Sequence, residues 1–564
     1  MAKGADVTFS LVLRAQVIIS GAAIMVLEIL SSRLLAPYYG STLFVWGSLI
    51  GVVLGGLASG YYYGGKKADA NPSYNRFSLF IFFTGVYTLL ITYATPLLFQ
   101  FVLALRLGER YGPLAAALLV LALPSFMLGG VSPYAIKLST RSLDRVGRTS
   151  GNLYSLSTIG SIAGTFLTTF VLIPELGVNT ILYTLSSILI LASLFGLVSR
   201  LKVLAVLLIA LSIGFAVTPQ VPSGGVIFSK DTLYHKLVVQ DDVITGLRTL
   251  ILDNNFHSAI DLRDRDRVVY PYTGFFHIAM AYNPNIENVL FIGGGGFSTP
   301  KRFLNDYPNV KADVVEIDPD VVNAAEQFFF VEESSRLKIL TEDGRTYLAN
   351  TNKKYDLIVL DAYAKTYIPF HMMTKEYFQL VSSNLSDDGI VVSNVIASID
   401  GDSSAIFHSM LKTMQSIFPN ADVYPVSGEI PLIQNIIIVA PKSPERFPIN
   451  VLQERAATIV KLPRVNEYLA NRLANNPSTD DALLFTDNYA PAENLLNPLT
   501  GRTYVKEIEF ANKTLASVAQ TINQPAESLR FEPSTAIITA IVATTGFIIL
   551  AVKSQRRKKQ INRY

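Results

Sequence analysis

The 564-residue chain is half hydrophobic, only 16% charged, and has a mean hydropathy of +0.36, which is too apolar for a wholly water-soluble protein and points to a membrane protein. A net charge of +3 is too small to suggest nucleic acid as a partner. The absence of cysteine excludes disulfides, thiolate metal sites and cysteine nucleophiles, and His235, His257, His277, His371 and His408 show no metal-ligand spacing.

Apolar segments fall near residues 9–35, 42–63, 77–99, 113–135, 153–174, 178–198 and 201–218. Most reach the ~20 residues a helix needs to cross a bilayer, so residues 1–220 are expected to form a multi-pass bundle of about seven helices. The first segment is long and followed by many more, which argues against a cleaved secretory signal. Glycines recur every fourth residue at 47, 51 and 55, at 56, 60 and 64, and at 160 and 164. Such faces let helix backbones approach, and helix packing is expected rather than a transport path. Glu28 and Arg33 lie in or near the first segment, where ionisable groups are costly; a stabilising place near the interface is expected, with ligand binding as the alternative.

With a cytoplasmic N-terminus, the loops on that side carry Lys66, Lys67 and Arg76, then Lys137, Arg141, Arg145 and Arg148, then Arg200 and Lys202, and finally the basic tail. The opposite loops carry Arg33, Arg106 and Arg110. This pattern obeys the positive-inside rule and sets the following soluble domain outside the cytoplasm. The chemistry described below asks for the cytoplasmic side, so the charge pattern and the chemistry point to opposite faces of a cell membrane.

PQVPSGG (219–225) reads as a linker. Residues 226–532 have the charges and turns of a soluble domain. The apolar segment 536–552 is expected to be a C-terminal transmembrane helix, ahead of the basic tail 553–564. VIFSK, KLVVQ, LRTLILD and HSAI read as the strands of a small β-subdomain over 226–275. Over 285–532, strands and helices alternate: strand 289–292, helix 298–306, strand 312–318, helix 319–330, then strands 337–340, 355–361 and 389–395. That alternation predicts an α/β domain with a Rossmann-like, methyltransferase-type parallel sheet, which binds ligands at the carboxyl ends of its strands.

The distinctive residues fall at those ends. Gly293, Gly294, Gly295 and Gly296 follow the first strand and let a ligand approach the backbone closely. Glu316 follows the second, about 20 residues on, where a carboxylate accepts hydrogen bonds from ribose hydroxyls. Asp343, beside Gly344 in TEDG, could accept from an adenine amino group. Asp361 ends the next strand, where a reacting group would sit. Acids at strand ends also cap helices, which is the plainer alternative.

IGGGGFS, VVEIDPDVV, LTEDGRTYL and YDLIVLDAY resemble the spermidine synthase family, the polyamine aminopropyltransferases, across the soluble domain. MVLEILSSRLLAPYYGSTLFVWGSLIGVVLGGLASG, STIGSIAGT and TDNYAPAE (486–493) resemble its membrane-fused members. The near match is therefore the fused transporter-like (MFS-like)/spermidine synthase family. The resemblance implies that Glu316 binds ribose, Asp343 contacts adenine, Asp361 is catalytic, and Tyr272 belongs to a gatekeeping segment. It implies a small-molecule polyamine acceptor and decarboxylated S-adenosylmethionine as co-substrate, with no other cofactor and no metal. Family members commonly dimerise through this domain, so a homodimer is open. An amine with a pKa near ~10 is mostly protonated at neutral pH, and a carboxylate can hold the ammonium and take its proton.

The departures concern the amine side. Gly296 stands where the family has an Asp, and Phe297 and Ser298 replace the glycines after it. Ala364 replaces a second Asp, and Thr273 a Gln or His. Asp487 and Glu493 are candidates to bind substrate by supplying the missing negative charge, with loop caps or solvated acids as the plainer alternative. Three functions stay open: a membrane-anchored aminopropyltransferase, an S-adenosylmethionine-dependent methyltransferase using the same pocket, and a non-enzymatic membrane scaffold, sensor or transport component.

Overall fold

The computed structural model describes residues 2–140, 143–217, 224–363, 368–401, 403–428 and 432–496. The expected C-terminal helix 536–552, the tail 553–564, the stretch 497–532 and most of the linker lie outside the described residues.

The apolar segments become α1 (Ala2–Tyr39), α2 (Leu43–Ala70), α3 (Tyr74–Ala104), α4 (Gly108–Ser139), α5 (Val146–Leu167), α6 (Val178–Ser193) and α7 (Ser199–Val217). A π turn, Thr168–Leu172, carries α5 on to Glu175. Six of these helices are long and apolar enough to cross a membrane. The expected seventh, α6, has 16 residues. It rises about 24 Å, short of the ~30 Å hydrocarbon core. Among the described residues there are thus six candidate spans and one shorter apolar helix.

The bundle has two distinct ends. At one, Lys137 pairs with Asp69 at 2.8 Å, Asn75 donates to the Gly196 carbonyl at 3.0 Å, and Phe9 packs on Tyr74. Lys66, Lys67, Arg76, Arg200 and Lys202 belong to this end by their places on the helices. At the other, Tyr38 stacks on Phe99, Arg33 donates to the Leu233 carbonyl, and the Val178 N–H donates to Asp231 at 3.0 Å. Arg33 therefore sits against the soluble part, while Glu28 is half-buried in α1.

The glycine faces divide. A Cβ at Gly60 would lie 2.2 Å from the Phe126 oxygen, and one at Gly164 would lie 2.6 Å from the Ala22 oxygen. These stripes pack α2 on α4 and α5 on α1, as close-approach faces do. Gly47, Gly51 and Gly55 have nothing within 4 Å of a Cβ, contrary to the packing expected of them. At ~100° per residue the two stripes of α2 lie on opposite faces, so only one can meet α4.

The soluble part begins with an antiparallel sheet of β1 (Val226–Asp231), β2 (Lys236–Asp242), β3 (Leu247–Leu252) and β4 (Asn255–Asp261) in that order. The larger sheet contains β5 (Asn288–Ile292), β6 (Lys311–Glu316), β7 (Leu337–Thr341), β8 (Tyr355–Leu360), β9 (Leu385–Ala397), β10 (Asp422–Pro425) and β11 (Gln434–Pro441). Its order is β10-β11-β9-β8-β5-β6-β7; β5 to β9 run parallel, β11 is antiparallel to β9, and β10 is antiparallel to β11. Residues of β5 alternate between two cores, Val289 and Phe291 facing one and Leu290 and Ile292 the other. Helices cover both faces, the Rossmann-like arrangement expected. The chain leaves β5 toward β6 on one side and returns to β8 on the other, so a crevice opens at the carboxyl ends of β5 and β8.

Candidate functional site

The glycine turn closes directly on Asp361. Gly293 has φ +97°, its N–H donates to the Val315 carbonyl at 2.9 Å, and the Asp361 N–H donates to the Ile292 carbonyl at 2.9 Å. A Cβ on Gly293 would lie 2.4 Å from the Asp361 carbonyl oxygen. Glycine is therefore the residue that lets the two strand ends meet. Gly294 and Gly295 donate to Glu316 Oε2 at 2.9 and 3.2 Å, and Gly296 donates to the Ser258 hydroxyl at 2.9 Å.

The same geometry accounts for the altered turn. A Cβ at Gly296 would lie 2.8 Å from Ser258 Cβ and 3.0 Å from the Phe329 ring. An Asp in this place, as the resemblance would have it, would have to displace both neighbours. Phe297, buried at φ +56°, puts its ring 2.7 Å from a Gly294 Cβ position and begins the helix Ser298–Asp306.

Asp361 is held from two sides. Tyr272 donates its hydroxyl to Oδ2 at 3.3 Å, and the Asn394 amide donates to Oδ1 at 2.8 Å. Buried Asn435 on β11 donates to Asn394 Oδ1 at 2.8 Å, and the Tyr363 hydroxyl donates to the Asn394 carbonyl at 2.7 Å. A carboxylate fixed in this way can accept a proton or hold an ammonium. Asn394 and Asn435 had not been singled out from the sequence. Their signal is an amide inside an apolar run, Asn394 in VVSNVI and Asn435, beside Gln434, in IQNIII.

Asp343 takes the capping role that was the plainer alternative. It caps the helix Gly344–Asn350, accepting from the Thr346 N–H at 2.8 Å and its hydroxyl at 3.0 Å, with His371 Nε2 at 3.3 Å. Burial pushes its carboxyl up, but the Thr346 donors and His371 outweigh burial and hold it below the usual carboxylate range. Its second oxygen, Oδ2, faces His371 alone among these contacts.

Asp487 does not stand ready for an amine. Arg345 grips both of its oxygens at 2.7 and 2.5 Å, and Thr374 donates to it at 2.7 Å. The Arg345 guanidinium holds its carboxyl below the usual range. Arg345 thus balances its charge within the chain. The Glu493 side chain and Ala364 lie outside the described residues. Thr273 donates to the Tyr270 carbonyl at 2.8 Å, within its own turn.

Comparisons with known proteins bear on this geometry. Residues 273–446 match the family model described as the spermine/spermidine synthase domain. The polyamine aminopropyltransferase of Vibrio vulnificus (strain CMCP6) is 30% identical over 244 residues, covering 41% of this chain and 76% of that protein. The probable polyamine aminopropyl transferase of Bifidobacterium longum (strain NCC 2705) is 26% identical over 284 residues, 47% of this chain and 61% of that protein. The crystal structure of a probable spermidine synthase from Corynebacterium glutamicum ATCC 13032 aligns with a TM-score of 0.36 at 18% identity, over 46% of this chain and 98% of that one.

Proposed function

The chain belongs to the polyamine aminopropyltransferase family, and on that premise we propose that it transfers the aminopropyl group of decarboxylated S-adenosylmethionine to a polyamine while anchored in a bilayer. The observation that supports this most is Asp361, held by Tyr272 and Asn394 where β8 meets the glycine turn.

In this reading the donor's ribose lies on Glu316 and its adenine on Asp343. An ionised carboxylate has about four acceptor positions, so Glu316 can take ribose hydroxyls while keeping turn N–H groups. The acceptor ammonium rests on Asp361 and gives it a proton. The freed nitrogen lone pair attacks the donor carbon next to sulfur. A C–N bond forms, the C–S bond breaks with its electron pair going to sulfur, and a neutral thioether nucleoside leaves. The crevice contributes alignment of the two reactants. With Gly296 in the turn and Asp487 held by Arg345, the far end of the acceptor meets fewer carboxylates than the family pattern supplies. We read the basic end of the bundle as cytoplasmic, which sets the site on the opposite face of the membrane.

Full-length protein in detergent is expected to release thioether nucleoside from the decarboxylated donor plus an amine, and none from S-adenosylmethionine. Turnover of the carboxylated donor alone would overturn the aminopropyl reading. In sealed right-side-out vesicles, charged donor added outside is expected to turn over without lysis. A requirement for lysis would move the site to the cytoplasmic face and leave the chemistry standing.

A further inference from the structure

We infer that the helical bundle positions the donor-binding carboxylate, and that Arg33 and Thr232 are positioning residues for Glu316; this rests on the donor role given to Glu316 above. The contacts form an unbroken series. Arg33 of α1 donates to the Leu233 carbonyl, and Asp231 accepts the Val178 N–H at the start of α6 at 3.0 Å. Asp231 ends β1 and Leu233 lies in the β1–β2 connection, so this end of the hairpin is gripped from two helices of the bundle.

Thr232 lies inside that connection and is buried. Its hydroxyl accepts the Tyr234 and His235 N–H groups at 3.1 and 2.9 Å. A hydroxyl has one proton and two lone pairs, so its proton goes to the remaining partner, Asp318 Oδ2, at 2.5 Å. Asp318 is fully buried, and its other oxygen accepts the Asp320 N–H at 3.0 Å, capping the helix Pro319–Phe328. The Asp318 N–H donates to Glu316 Oε1 at 3.1 Å, while Glu316 Oε2 takes the glycine-turn donors. The opposite side of the connection is pinned by Asp253, which meets His235 Nδ1 at 2.8 Å and the Lys236 N–H at 2.9 Å.

Each oxygen of Glu316 is therefore oriented by a group whose own place is fixed. One series starts at the glycine turn and the other ends on the bundle. Thr232 is the joint between the bundle and the nucleoside pocket. If its hydroxyl is lost, the buried Asp318 carboxylate loses a donor, and the backbone that aims Glu316 is free to shift. The amine side, at Asp361, lies on the other branch and should feel little.

The test uses full-length protein in detergent, with calorimetric donor affinity and steady-state kinetics measured together. Thr232→Val is expected to weaken donor Kd and raise donor KM by roughly tenfold, the effect of one ordinary hydrogen bond, with kcat and amine KM within about twofold. Thr232→Ser keeps the hydroxyl and is expected to restore donor affinity. Arg33→Ala is expected to weaken donor affinity by about threefold, in line with a more exposed contact. Loss of active protein without a change in donor affinity, equal effects on both substrates, or failure of Thr232→Ser to rescue would each overturn the inference. Should Thr232→Val not fold, Arg33→Ala and Asp231→Ala, which removes the acceptor of the Val178 N–H, decide in its place, and unchanged donor affinity in both overturns it. Wild-type protein that binds no donor overturns this inference and the donor role together. Wild-type protein that binds donor without turnover overturns transfer alone, and the variants' Kd values still decide the positioning.

Discussion

Replacing Asp361 by Asn is expected to lower kcat by roughly 10²–10⁴-fold, the range for removing a positioned proton acceptor, while donor affinity changes little. Asn can still accept from the Asn394 amide through its carbonyl, so the 2.8 Å contact survives. Tyr272, now facing an amide, can accept where it donated. What is lost is the charge that holds an ammonium and the site that takes its proton. Steady-state kinetics with calorimetric donor binding separate the two effects. An Asn variant with wild-type kcat would remove Asp361 from the chemistry.

The second large effect concerns the turn. Gly293→Ala is expected to destabilise the protein by about 3 kcal/mol or more and to abolish donor binding. The added Cβ would meet only backbone: the Asp361 oxygen at 2.4 Å, its carbonyl carbon at 2.8 Å, and Ala362 Cα at 3.0 Å. None of these can swing aside as a flexible side-chain end would, and φ +97° is strained for any L side chain. Gly401, at φ +81° with nothing within 4 Å, isolates the conformational part. Gly401→Ala is expected to cost about 1 kcal/mol and leave activity intact. Thermal unfolding of both variants checks this, and equal melting temperatures would show that the close approach at Gly293 carries no weight.

Much of the site was legible because its signals are local. The run VLFI ending in four glycines marks a buried strand and a turn, and Glu316, Asp343 and Asp361 stand at or just past the ends of successive strands in chain order. Parallel β5, β6, β7 and β8 carry them to one edge of the sheet. What stayed hidden depends on pairing across long separations. Asn394 and Asn435 become meaningful only when β9 and β11 pair beside β8. The Arg345–Asp487 pair joins positions 142 apart and gives Asp487 a role that its neighbours in sequence do not announce. The β10–β11 hairpin, unmarked in the sequence reading, is defined by its antiparallel partners rather than by its own apolar run. The α2 glycines show the same limit: one spacing serves two opposite faces, and only the partner helix decides which is used.

Arg33 illustrates how an ionisable residue in an apolar helix finds its place. It was expected to stabilise the bundle near the interface, and at its end of the bundle it meets the Leu233 carbonyl. That contact links the bundle to the connection from which Glu316 is oriented.

One measurement tests the central claim most directly. Full-length protein would be given an amine acceptor and decarboxylated donor carrying ¹³C in the aminopropyl chain and deuterium in the S-methyl group, and the products weighed by mass spectrometry. The aminopropyl account predicts ¹³C in the amine and all deuterium in the thioether nucleoside. Deuterium in the acceptor would identify a methyltransferase, and an unchanged donor at full protein integrity would contradict enzymatic transfer at Asp361 altogether.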